Sequence, residues 1–268
     1  MSAEEFFELF LKELEQSPHL HSYYKFLNDE KSFYFRKAYF IERLKYIQRN
    51  VTDKNAAIFD CGCGYGTTDI FLALNGHKVF GTTLEFYETS LPARIKYWSQ
   101  FGDVSGFTWS YENIFDSHPA DASIDICILQ DTLHHLEPLA DALAVFHKVL
   151  KPGGKLIAVE ENGSNIIQSA KLYKQRGNKR IIEMHDEKLG KTILLGNENI
   201  RSLGTWTKAF AAKGFSIGNV EYVRLFMPFQ VNKDNYTKRV EQEKSIYKKN
   251  SFLRDYFYFG LNFVATRN

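Results

Sequence analysis

Residues 56–69 read AAIFDCGCGYGTTD, with three glycines and two cysteines within six positions just after a short run of small and apolar residues. A backbone left that bare serves either a metal or redox pair built on Cys61 and Cys63, or a ligand that must come close to the main chain. The metal reading lacks ligands: structural zinc takes four and catalytic zinc three plus water. The chain holds one other cysteine, Cys127. A redox dithiol is ordinarily spaced CxxC rather than CxC. No metal site is expected, and three cysteines fit a reducing compartment without disulfides. The glycines carry the message. Glycine reaches backbone angles closed to other residues and has no Cβ to hold a ligand away. The segment after it, TTDIFLALNG, has the pattern of a helix, whose first turn presents free N–H groups.

Outward from this turn the chain alternates strands and helices. AAIFD, HKVFGTT, FTWSY, SIDICILQ and GKLIAVEE are five short apolar runs. TTDIFLALNG, YETSLPARIKYWSQFG and PLADALAVFHKVL are amphipathic helices between them. Strand–helix–strand at this spacing implies right-handed crossovers and a mostly parallel sheet covered on both faces. Ligands of such sheets sit at the carboxyl ends of the strands. Before it, residues 1–50 show helical spacing only, with Phe6, Phe7, Phe10, Leu11 and Leu14 on one face and Phe33, Phe40, Ile41, Leu44 and Ile47 on another. They form a helical N-terminal extension capping a domain of residues 51–268. After the fifth strand the rhythm breaks: residues 162–198 read as a charged insertion that could act as a lid. A helix, a strand in SIGNVEYVRLFMP, a polar helix over residues 233–250 and a terminal strand in DYFYFGLNFVATRN complete the chain.

The composition excludes several classes. The 268 residues are 44% hydrophobic and 25% charged, as in ordinary globular proteins. A net charge of +2 gives no basic footprint for nucleic acid. No apolar run has the length of a membrane span. The acidic start MSAEEFFELF lacks the basic opening of a secretory signal, so a cytoplasmic location is expected. Most of the 23 Phe and 15 Tyr are expected in the core, and some can line a pocket for a flat or greasy substrate.

IFDCGCGYG resembles motif I of class I S-adenosylmethionine-dependent methyltransferases. HKVFGTTLE, ADASIDICILQDTLHHL and VFHKVLKPGGKLIAVEE resemble later motifs in the same order. The likeness covers residues 56–161 strongly and 199–226 loosely. It is closest to the small-molecule branch that includes ubiquinone-biosynthesis and cyclopropane-synthase-like enzymes. It implies a Rossmann-like seven-stranded sheet in the order 3-2-1-4-5-7-6 with the last strand antiparallel, and S-adenosylmethionine as cofactor. Asp60, Gly62 and Gly64 would flank the methionine moiety, and the main chain near Leu129 and Gln130 would accept from its ammonium. Relatives end the second strand with an acid that holds the ribose; here Thr83 stands there, followed by Leu84, with Glu85 and Glu88 as substitute acids. Asn113, with Ile114 beside it, takes the place of the acid that meets the adenine amine, with Glu112 as fallback. His135 matches a histidine that braces the loop beside the cofactor.

Methyl transfer from a positive sulfur needs positioning and desolvation, and a base only where the acceptor must lose a proton. His134, in a position where the resembled branch carries a functional Glu, and Asp131 in the same turn are the first candidates. Glu160 and Glu161 end the fifth strand nearby. His185, in EMHDEK, reaches the acceptor if the insertion folds over the cleft. Tyr23, Tyr24, Tyr34, Phe35 and Tyr39 would close the pocket, with Arg36 or a tyrosine for the methionine carboxylate. The expected reaction is methyl transfer to O or C of a small aromatic or amphiphilic metabolite. The alternative is a regulatory or assembly protein that binds S-adenosylmethionine without transferring its methyl, favoured by the missing ribose acid. Nucleic acid is not expected as partner. The helical extension offers a surface for a homodimer.

Overall fold

The computed structural model describes residues 1–268, with the side chains of Glu85 and Phe86 outside the description. Three helices come first: α1 (Ala3–Gln16), α2 (Pro18–Tyr24) and α3 (Phe33–Asn50). A capping box starts α1. The Ser2 hydroxyl accepts the Glu5 N–H at 3.1 Å, and the Glu5 carboxylate accepts the Ser2 N–H at 2.7 Å. The alternating part follows as β1 (Ala57–Cys61), α4 (Thr67–Leu74), β2 (Lys78–Thr83), α5 (Leu91–Trp98), β3 (Phe107–Tyr111), β4 (Ile124–Gln130), α6 (Leu139–Val149) and β5 (Leu150–Glu161). The insertion holds α7 (Ile166–Arg176) and the strands β6 (Ile181–Asp186) and β7 (Lys191–Gly196). The chain closes with α8 (Leu203–Ala211), β8 (Phe215–Val223), α9 (Tyr236–Lys249), α10 (Ser251–Phe257) and β9 (Gly260–Arg267).

The main sheet has the order β3-β2-β1-β4-β5-β9-β8. Strands β1 to β5 are parallel, and β9 runs antiparallel to both β5 and β8. With the separate β6–β7 pair set aside, this is the order 3-2-1-4-5-7-6 that the family resemblance implied. Alternate residues of each strand feed two cores. Ile58, Ile126, Ile128 and Ile157 pack with α3, α4 and α5 on one face. Phe59, Cys127, Leu129 and Ala158 pack with α6 and α8 on the other. The N-terminal helices belong to the first core: Phe6, Phe7 and Phe10 are fully buried beside Phe71 and Trp98. The Phe6 ring stacks on Trp98 with centroids 4.3 Å apart. Burying each such ring contributes about 1.5–3 kcal/mol, so this extension is held by its own aromatic face.

Two elements differ from the sequence expectation. The terminal strand was read from Asp255 onward, but Ser251–Phe257 is helical and the strand starts at Gly260. The Asn250 side-chain oxygen accepts the Leu253 N–H at 2.9 Å and starts the helix, a cap that outweighs the alternating tyrosines that follow. The insertion is not irregular. It makes an antiparallel hairpin with Asp186 paired to Lys191, whose apolar alternation the interspersed charges obscured. The hairpin tip is tied to the edge of the main sheet, where the Tyr111 hydroxyl donates to Asp186 at 2.7 Å and Lys188 lies over the Tyr111 ring at 4.2 Å. No helix among the described residues is long and apolar enough to cross a membrane.

Candidate active site

A cleft of about 910 Å³ opens along the carboxyl ends of β1, β2, β4 and β5, at the upper end of the roughly 300–1,000 Å³ typical of ligand sites. Its floor is the glycine turn. Gly62, Gly64 and Gly66 take φ of +87°, +53° and +65°, in the region that L side chains avoid. A Cβ on Gly62 would stand 2.4 Å from the Thr132 hydroxyl oxygen, while the corresponding face of Gly64 meets nothing within 4 Å. The turn is therefore bare for two reasons. Gly62 lets the loop after β4 pack against it, and Gly64 leaves open space for a ligand.

Asp60 lies beneath that turn, fully buried and absent from the cleft wall. It faces Asp69 of α4, and the Gln130 amide donates to Asp60 Oδ2 at 3.4 Å. Burial pushes the Asp60 carboxyl up to about 7, with the hydrogen bonds from Asp69 and Gln130 working against it. Asp69 rises well above the usual carboxylate range through burial and the neighbouring Asp60 charge. Neither Asp69 oxygen meets an N–H or O–H donor among the described residues. A proton shared by the two carboxyls satisfies both, as two buried like charges cannot both ionise cheaply. The acid of the motif is thus linked to the cleft through Gln130, which lines its wall. The Thr68 hydroxyl donates to Gln130 Oε1 at 2.9 Å and fixes that amide.

At the end of β2, Thr83 and Leu84 line the cleft with Tyr87. Glu88 forms an ion pair with Lys188 at the hairpin tip and is absent from the cleft wall. The Glu85 side chain lies outside the described residues. Asn113 and Ile114 line the next part of the wall with Glu112. The Asn113 side-chain oxygen accepts the Phe115 N–H at 3.0 Å.

The far end of the cleft is polar and densely paired. Asp131, at φ +50°, holds Arg43 of α3 at 2.6 Å. Burial would raise its carboxyl, but Arg43, Arg224 and His134 outweigh that and hold it below the usual value. Arg224 pairs with Glu161 at 2.8 Å. His134 is buried; its Nδ1–H donates to Glu160 Oε2 at 2.5 Å, and Glu160 Oε1 accepts the Leu133 N–H at 2.8 Å. Burial favours the neutral ring, yet Glu160, Asp131 and Glu198 outweigh it and push its pKa up to about 9. His135 sits beside it, ring centroids 4.1 Å apart, and donates from Nδ1 to the Gly196 carbonyl at 2.7 Å.

The hairpin roofs this end. Ile182, Met184 and Leu195 face the cleft, and His185, on the alternate face of β6, is exposed and turned outward. The expectation that His185 reaches the acceptor fails on strand alternation: neighbours in a strand point to opposite faces. Tyr23, Tyr24, Phe35, Arg36 and Tyr39 cover the cleft from the N-terminal helices. Tyr34 stays outside, its ring 5.8 Å from that of Tyr236. Sequence reading missed Arg43, Arg224 and Glu198, all in the cleft wall. They lie far along the chain from the motifs they join, and no local pattern marks them.

Comparison with known proteins agrees with this architecture. Residues 59–158 match the family described as a methyltransferase domain. No match is found among curated proteins. Solved structures with the same fold include an S-adenosylmethionine-dependent methyltransferase from Mesorhizobium loti, 21% identical, with a TM-score of 0.52, covering 84% of this chain and 96% of that one. Geranyl diphosphate C-methyltransferase from Streptomyces coelicolor A3(2), solved with Mg²⁺, geranyl diphosphate and S-adenosylhomocysteine, is 14% identical, with a TM-score of 0.60, covering 90% and 86%. Phosphoethanolamine N-methyltransferase 2 of Haemonchus contortus, solved with S-adenosylmethionine, is 17% identical, with a TM-score of 0.56, covering 85% of this chain and 52% of that one. The stretch that matches the methyltransferase-domain family carries β1 to β5 and the glycine turn, and the chain as a whole shares its fold with these solved methyltransferases.

Proposed function

We propose that the protein transfers a methyl group from S-adenosylmethionine to an O or C atom of a small aromatic or amphiphilic metabolite. One observation carries this reading: a single cleft joins the open face at Gly64 to the polar cluster of Asp131, Arg43, His134 and Glu198 under an aromatic roof. When bound, S-adenosylmethionine supplies a methyl on a positive sulfur that is displaced in line. The chain supplies the rest. Gly62 and Gly64 clear the main chain, and Gln130, held by Thr68, presents its amide beside them. Thr83, Leu84, Asn113 and Ile114 form the wall for the nucleoside. Ile182, Met184, Leu195, Tyr23 and Phe35 exclude water and fit an apolar or flat acceptor. Asp131 and His134 orient the acceptor's reacting group. Glu160 occupies Nδ1 of the imidazole, so Nε2 is the nitrogen turned to the cleft.

A second reading, binding without transfer, is favoured by one feature: among the described residues from Thr82 to Glu88, those that line the cleft are Thr82, Thr83, Leu84 and Tyr87, none of them an acid. Calorimetric titration with S-adenosylhomocysteine, followed by S-adenosylmethionine consumption assays against phenols, isoprenoids and fatty acids, separates the two. Micromolar binding with turnover of one class supports transfer. Binding without turnover across the panel supports the second reading, and absence of binding rejects both.

A further inference from the structure

The strongest unassigned chemistry lies at the roofed end of the cleft. One ring nitrogen each of His134 and His135 and one carboxylate oxygen of Glu198 lie within 4.8 Å of one another. His134 Nε2 stands 3.7 Å from Glu198 Oε2. Both rings are already oriented as metal-ligating histidines are, with Nδ1–H donated to a carboxylate in one case and to a main-chain carbonyl in the other. On each ring Nε2 is the nitrogen left for a metal ion, which displaces any proton carried there. Two imidazoles and one carboxylate, with the remaining positions open to a cleft, form the ligand set of catalytic zinc and of mononuclear non-haem metal centres.

We propose that His134, His135 and Glu198 bind a divalent first-row transition ion, zinc being the best match, at the acceptor end of the cleft. The fold builds the site from two distant parts of the chain. The histidines stand in the short turn after β4, and Glu198 follows β7 at φ +51°. Gly196 makes the junction: a Cβ there would fall 1.9 Å from the His134 carbonyl oxygen, so only glycine lets the hairpin approach this closely. The bridge between Leu136 and Leu195 holds the two segments in register. Glu160 sets a further carboxylate against the His134 ring, which favours a cation at this point. An ion held there polarises an acceptor hydroxyl or carbonyl and fastens the hairpin roof to the sheet. The metal site stands without the transferase reading; its role toward an acceptor rests on it.

The test uses the full chain, freed of metal by a chelator and titrated with Zn²⁺ and, for its visible spectrum, with Co²⁺. One ion per chain is expected, with d–d bands of a nitrogen- and oxygen-ligated site. Glu198→Gln and His135→Ala should each weaken Zn²⁺ binding at least about tenfold. Thermal melts of the metal-free variants check folding, and Glu198→Gln, half exposed, keeps the test valid if His135→Ala does not fold. Absence of stoichiometric binding, or binding unchanged in the folded variants, overturns the site. S-adenosylhomocysteine titrated in parallel keeps the outcomes apart: metal bound without nucleotide rejects the transferase reading alone, and nucleotide bound without metal rejects the ion alone.

Discussion

Glu13 of α1 and Arg94 of α5 meet in a buried bidentate pair, with Nε to Oε1 at 2.8 Å and Nη2 to Oε2 at 2.6 Å. The Trp98 indole donates to the same carboxylate at 2.9 Å, and Arg94 also donates to the Tyr65 carbonyl and, at 2.7 Å, to the Thr67 hydroxyl. One guanidinium therefore joins the first helix to the glycine turn. Replacing Glu13 by Ala leaves a buried charge uncompensated, which costs about 3–5 kcal/mol. Chemical denaturation should show that loss, and nucleotide affinity should fall with it because the turn loses its support.

Gly62→Ala places a methyl against Thr132 at a φ of +87°. Backbone strain of this kind costs about 1–3 kcal/mol, and the turn must shift to relieve the clash. Calorimetry should show S-adenosylhomocysteine affinity falling more than tenfold, whereas Gly76→Ala, at φ +81° but in open space, should lower stability and leave affinity unchanged.

The Asp60–Asp69 pair makes stability depend on pH in a stated direction. An unfolded aspartate titrates near about 3.9, and the folded Asp60 carboxyl near about 7. Between those values the folded state binds more protons, so this contribution is complete below about pH 4 and is lost as pH rises through about 7. In Asp69→Asn the amide donates to Asp60 and the shared proton is no longer needed. Melting temperatures compared at about pH 5 and 7 should fall less in the variant than in the parent; an equal fall would contradict the pairing.

The tie between Tyr111 and Asp186 sets how firmly the roof sits. Tyr111→Phe removes the hydroxyl that donates to Asp186, worth about 1.5–3 kcal/mol for a bond to a charged group. Hydrogen exchange in β6 and β7 should accelerate about tenfold or more while amides of β1 and β4 keep their protection.

His134→Ala removes the imidazole that we propose orients the acceptor, at the end of the cleft away from Gly62 and Gly64. Turnover should fall by at least about tenfold, with nucleotide affinity kept within about twofold. Retained turnover would exclude the residue from the reaction.

The elements of residues 56–161 were legible because each is coded locally: apolar runs for the strands, helical periodicity between them, and glycines where φ turns positive. The floor of the cleft followed from the same signals. Its far end did not. Glu160 stands at the end of a legible strand, but Arg43 reaches Asp131 across 88 positions of sequence, Arg224 reaches Glu161 across 63 and Glu198 reaches His134 across 64. The hairpin was hidden for another reason. Ile182 and Met184 alternate with Glu183 and His185 as a strand requires, but the basic residues around them resembled a solvated face. The pairing of Asp60 with a second buried carboxyl, Asp69, is one that no motif announces.

The aromatic face of α1 has a practical consequence. Because Phe6, Phe7 and Phe10 complete the same core as Ile58, Ile70 and Phe71, trimming the chain at residue 50 would not release a minimal catalytic unit. It would strip one side of the sheet and yield an aggregating fragment. Swapping this segment for another to alter the cleft would require recutting the interior at the same time, since the helices that cover the cleft also complete the core.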